Sequence, residues 1–141
     1  MSGDPGAGFE LDPRLAADTV FVVDWTLCRV LLMDDAQFPW LVLVPRRAGL
    51  AEIDDLDAPG RIQLLDEAQR AMQALRQTVA YDKFNLGALG NIVRQLHVHV
   101  VARTRNDAAW PGPVWGHGPA RRYAPAAREH LLVRLRGAMD G

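Results

Sequence analysis

Gln95-Leu96-His97-Val98-His99-Val100-Val101 is the stretch of the chain best suited to chemistry. Read as a strand, it puts Gln95, His97 and His99 on one face and Leu96, Val98 and Val100 on the other, because successive side chains alternate. Same-face neighbours then lie roughly 6.5–7 Å apart, so two imidazoles can converge on one small anion or one metal ion. The imidazole face has three readings: half-buried polar residues on a sheet surface, a metal site or an anion site. A metal site needs further ligands, commonly His or carboxylate. His117, Asp107 and Asp34 are available, none at a telling spacing. Just upstream stand Asn85-Leu86-Gly87 and Gly90-Asn91. With Phe84 and Leu86 toward the core, Asn85 falls on the polar face, which a hairpin would share with His97 and His99. A glycine-bearing loop offers backbone N–H groups to an anion with no Cβ in the way. Amide, loop and two imidazoles together favour phosphate over metal.

The elements that must position these residues follow from pattern. Asp12-Pro13 opens a short helical turn to about Ala17. Thr19–Val23 and Leu27–Met33 read as two strands or a hairpin, and Trp40–Val44 as a buried strand closed by Pro45. A helix is expected from Ala58 to about Ala80, with Leu65, Ala68, Met72, Leu75 and Val79 as its apolar stripe. Phe84–Ala88 is a short strand, Leu89–Arg94 a loop and Gln95–Ala102 the histidine strand. Arg103 to Pro119 is irregular, and Pro125 starts a last helix to about Arg136. This order indicates an α+β fold with an antiparallel sheet.

The 141 residues suit one domain, spanning 1–141, with a loose terminus at 1–8 and a C-terminal extension and helix at 104–141. A net charge of −1 provides no footprint for duplex nucleic acid. Lys83 is the sole lysine among the basic residues, a skew that genome base composition explains better than an anion-binding surface does. A single cysteine, Cys28, excludes an internal disulfide framework and suits a reducing compartment. Met1 to Gly8 has neither the basic nor the apolar part of a signal peptide. No apolar run approaches the ~20 residues of a membrane helix. A cytoplasmic protein with neither membrane nor nucleic-acid partners is expected.

Gln95-x-His97-x-His99-x-x, with Asn85-x-Gly87 and Gly90-Asn91 before it, resembles the histidine triad (HIT) family of nucleotide hydrolases and transferases. The family motif is His-φ-His-φ-His-φ-φ, with φ apolar, and Gln95 replaces its first His. Leu31-Leu32-Met33-Asp34 through Phe38-Pro39-Trp40-Leu41-Val42-Leu43-Val44-Pro45-Arg46-Arg47 resembles the family's ribose-binding turn and following strand. The tail with Trp110-Pro111 and Trp115-Gly116 is similar to a bacterial, dinucleoside polyphosphate hydrolase-like branch. The resemblance implies a HIT-like α+β fold, a homodimer, a nucleotide substrate with a purine base, and no cofactor or metal. It implies His97 as nucleophile on the α-phosphorus of a dinucleoside polyphosphate or nucleoside phosphoramidate, and His99 as hydrogen-bond donor to the phosphate or leaving oxygen. The other ring nitrogen of His97 should donate to a backbone carbonyl near His99. Gln95 would keep a hydrogen bond of the missing His without its proton transfer. Asn85, Gly90 and Asn91 would hold phosphate oxygens, Asp34 the ribose hydroxyls, and Leu32, Phe38 and Trp40 the base. Arg94 and Arg103 read as solvated strand-end residues, and Trp110 and Trp115 as pins for the C-terminal segment. A non-catalytic nucleotide-binding module and a His-x-His metalloprotein stay open as rivals.

Overall fold

Asp12 sets the first element: its side chain accepts from the Arg14 amide, and Pro13 follows as the opening residue of α1 (Pro13–Asp18). The computed structural model describes residues 8–140, so the expected loose terminus lies, apart from Gly8, outside the described residues. The β-branched and aliphatic runs form β1 (Thr19–Asp24), β2 (Cys28–Met33) and β3 (Trp40–Pro45). Then come α2 (Ala58–Thr78), β4 (Lys83–Gly87), β5 (Val98–Arg103) and α3 (Pro125–Met139). The strands make one antiparallel sheet in the order β1-β2-β3-β5-β4. The α+β expectation stands.

Alternation along β3 and β5 sorts the core into two layers. Leu41, Leu43, Val98, Val100 and Ala102 pack beneath α2 and α3 with Leu64, Ala68 and Leu135. On the opposite face Trp40, Val42, Val44 and Val101 pack with Leu15 of α1, Phe38 and Val114. Both faces of the central strands are therefore covered, which is why β3 and β5 are buried along their whole length. The second, thinner layer is the one that holds the histidines.

Three sequence readings change here. The apolar stripe of α2 is rotated: Leu64, Ala68, Ala71, Ala74, Leu75 and Thr78 face the sheet, and Leu65 is 67% exposed. Small alanines let the helix sit close to the strands, so the buried face is not the one with the bulkiest side chains. Glu67 is buried as well, its carboxylate accepting from the Leu27 and Cys28 amides and so fastening α2 to the start of β2. Leu86, expected in the core, is 42% exposed beside an open groove between α2 and β4, whereas Phe84 does pack against the helical layer. The histidine strand begins at Val98 rather than at Gln95, so Gln95, Leu96 and His97 form its approach.

Candidate active site

His97 and His99 are both buried, with ring centroids 4.9 Å apart and planes at 75°. The Nδ1 of His97 lies 2.6 Å from the carbonyl oxygen of Gln95. A carbonyl only accepts, so Nδ1 carries the proton and Nε2 carries the lone pair. The Trp40 indole Nε1 donates to His99 Nδ1 at 3.0 Å. An indole only donates, so Nδ1 of His99 is the acceptor and its Nε2 bears the hydrogen. In their neutral forms the two rings are thus opposite tautomers. Burial, and secondly the neighbouring His97, pushes His99 down to about 4, so it is uncharged near neutrality.

These imidazoles open into a cavity of about 600 Å³, lined also by Asp34, Phe38, Trp40, Gly90 and Asn91. Gly90 has φ +70°, a left-handed conformation that favours glycine where the loop turns toward His97. The C-terminal segment supplies the far wall through Trp115, His117 and Arg122. Trp115 packs edge-on against His99 with centroids 5.6 Å apart. A Cβ on Gly87 would come within 3.0 Å of that indole, so the glycine admits it.

Other expected site residues are placed differently. The Gln95 side chain turns away from the imidazoles, accepting from the Asp12 amide and donating to the Glu10 carbonyl. What it offers His97 is its backbone carbonyl, and this, not a carbonyl near His99, is the acceptor. Asn85 shares the histidine face, opposite Val101, but its Oδ1 accepts from Arg103 and it does not line the cavity. Asp34 does line the cavity, yet its carboxylate accepts from the Tyr123 amide, Arg122 and Arg128. Burial alone would raise that carboxyl; the Tyr123 amide and the two guanidinium groups outweigh it and hold it below its usual value. Leu32 faces the helical layer, and Met33 takes its place in the cavity wall.

Arg103 is the residue the sequence reading understates. It is 1% exposed rather than solvated, bonded to both Asp107 oxygens, Asn85 Oδ1 and the Gly112 carbonyl. Arg103 in turn holds Asp107 down to about 2 through that hydrogen bond. Strand parity carried the signal: His99, Val101 and Arg103 share one face, and Asp107 lies four residues on. The knot anchors the segment that carries Trp115. Among the described residues, no group of three or more His, Cys, Asp or Glu is placed to hold a metal ion.

A five-stranded antiparallel sheet with paired imidazoles at the start of an inner strand defines a HIT-type α+β protein. Residues 14–106 match the HIT domain model, and the chain belongs to that family. It is similar to the crystal structure of a HIT protein from Bradyrhizobium japonicum, 43% identical over 93% of this chain and 98% of that one, with a TM-score of 0.90. A HIT protein from Sinorhizobium meliloti 1021 is 40% identical over 94% and 98% of the two chains, with a TM-score of 0.91. One from Marinobacter aquaeolei VT8 is 40% identical over 94% and 96%, with a TM-score of 0.90. No curated protein matches the chain.

Proposed function

We propose that the chain is a nucleotide hydrolase or transferase of the HIT type, attacking the α-phosphate of a nucleoside phosphate through His97. One observation carries this reading. His97 presents an Nε2 lone pair, enforced by the Gln95 carbonyl, beside a His99 whose Nε2–H is enforced by Trp40. A nucleophile and a hydrogen-bond donor therefore stand side by side in one cavity, the arrangement that nucleotidyl transfer requires. Gly90 and Asn91 line it where phosphate oxygens would be held, and Phe38 and Trp40 offer aromatic walls to a purine. Ribose hydroxyls would reach Asp34 by displacing one of its arginines. Gln95 acts through its backbone, and Asn85 braces Arg103. Gln95 thus stands in place of the family's first His with its side chain directed away from the cavity.

The protein is further inferred to be a homodimer, because the two edges of its sheet differ. Arg136 donates to the Phe21 and Val22 carbonyls and blocks β1, whereas β4 is the opposite edge and bears the exposed Leu86. A buried, unpaired Cys28 suits the reducing cytoplasm. No helix among the described residues is long and apolar enough to cross a membrane.

The test is to incubate the protein with adenylated and guanylated substrates and trap a nucleotidyl adduct on His97 by mass spectrometry. His97→Ala should abolish adduct and turnover while calorimetry still detects nucleotide binding; full activity in that variant would sink the reading. A second reading, a non-catalytic nucleotide-binding module, is favoured by the diversion of the Gln95 side chain, which leaves the site without a third polar group of the motif. Nucleotide binding without release of monophosphate would establish it.

A further inference from the structure

Within the proposed reaction, the identity of the leaving group depends on which side chain can give it a proton. In the first step the His97 Nε2 lone pair forms a bond to the α-phosphorus, and the bond from phosphorus to the leaving group breaks. The leaving atom takes the electron pair. A water molecule later forms the new P–O bond, the N–P electrons return to Nε2, and the water's proton passes to solvent. His97 cannot supply a proton in the first step, since its Nδ1–H is held by the Gln95 carbonyl. Gln95 cannot, because its amide is not an acid and is bonded to Glu10 and Asp12.

His99 is the remaining member of the motif. To become an acid it must take a second proton at Nδ1, the atom that already accepts from Trp40. Protonation would set an N–H against the indole N–H and break that bond. The ring is enclosed between Trp40 and Trp115, each with its centroid 5.6 Å away, and the titratable group beside it is His97. Asp18, Asp34, Asp35, His117 and Arg122 also line the cavity, but the described hydrogen bonds give His99 none of them as a partner. Burial and His97 lower its affinity for a proton further. His99 can thus donate a hydrogen bond to phosphate but has no proton to release.

We propose that the Trp40 indole holds His99 as a neutral donor and so restricts the site to substrates whose leaving group departs as an anion, phosphoanhydrides rather than phosphoramidates. The inference rests on the reaction assigned to His97 and narrows its substrate class. A phosphate leaves as an anion near neutrality, its second pKa being about 6. An amine leaves readily only when protonated.

The measurement compares release of nucleoside monophosphate from a dinucleoside polyphosphate and from a nucleoside N-alkyl phosphoramidate. The phosphoramidate should be slower in kcat/KM by at least ~100-fold, the low end of what a general acid contributes. Nitrogen-15 NMR of labelled protein should show His99 protonated at Nε2 only, across the neutral range. Trp40→Phe keeps a ring but removes the donor to Nδ1. Losing a bond worth about 1 kcal/mol to the neutral form should raise the His99 titration point and, below pH 6, raise the phosphoramidate-to-anhydride ratio about fivefold. A merely structural Trp40 would lower both activities together and leave that ratio unchanged. Equal turnover of both substrates, or a wild-type His99 that is cationic near neutrality, overturns the proposal. Equal turnover that falls selectively for the phosphoramidate in His117→Asn would name His117 as the acid and overturn it as well. If neither substrate leaves an adduct on His97, the reaction itself falls; adducts formed equally fast from both overturn the leaving-group preference alone.

Discussion

Gln95 contributes to His97 through its main chain and to the N-terminal segment through its side chain, so the two functions can be separated by mutation. Gln95→Ala removes a donor to the Glu10 carbonyl and an acceptor for the Asp12 amide but leaves the carbonyl that orients His97. The site is part-exposed and water can replace the lost partners, so a stability loss of about 1–2 kcal/mol in urea unfolding is expected. His99 makes a different statement, read from pH. Its folded value of about 4 lies below the 6.5 of an unperturbed imidazole, so between the two the unfolded chain binds more protons. Stability is full above about 6.5 and is lost as the pH falls toward 4. Asp107, held to about 2, contributes stability that is lost only at lower pH, as it becomes protonated, which keeps the windows apart. The urea midpoint of the wild type should therefore slope downward from pH 6.5 to 4, and that of His99→Gln should lack this part of the slope.

At the scale of elements, α2 shows both what a sequence pattern reveals and what it conceals. Its existence and its start were legible, because Asp57 caps it and Pro59 sits in its first turn. Its rotation was not. Leu64 and Leu65 are adjacent, alanines recur at several spacings, and the apolar count alone admits two neighbouring stripes. Contact with the sheet selects the one rich in alanine and turns Leu65 outward. The buried Glu67 could not be foreseen either, since its partners, the Leu27 and Cys28 amides, lie about forty positions away along the chain. Glu67→Ala should orphan both amides at about 1–3 kcal/mol each, visible as a lowered melting temperature. The outward-facing Leu65 and Leu86 line one groove beside the β4 edge, the surface inferred to meet a second copy. Leu86→Lys should leave a monomer in light scattering while circular dichroism stays that of a folded chain. A dimer of unchanged mass would place the interface elsewhere.

Over the whole molecule, the cavity is closed by a segment far from the motif in sequence, and this was the least legible feature of all. Arg103 ends β5 on the histidine face, but Trp115, Arg122 and Arg128 are scattered through an irregular tail and a helix, with no spacing that links them to it. What joins them is the thin second layer: a sheet face without a long helix over it takes the tail as its cover. The tail is fastened at one end by the Arg103–Asp107 knot and at the other by Asp34. Asp34 is thereby asked to serve two partners. A carboxylate has about four acceptor sites, and the Tyr123 amide, Arg122 and Arg128 occupy three. A ribose diol bringing two O–H donors therefore has to evict one of them. Arg122 is the one to yield, because its side chain is 57% exposed against 34% for Arg128. Such an exposed contact is worth at most about 1 kcal/mol. Arg122→Ala should therefore tighten binding of a ribonucleotide by up to about fivefold in calorimetry, since the eviction is no longer needed. A 2′,3′-dideoxynucleotide brings no diol and should show no gain. Equal gains for both would mean that Arg122 merely obstructs the cavity and would remove Asp34 from the ribose, whereas weaker binding of both would overturn the eviction and make Arg122 a phosphate contact.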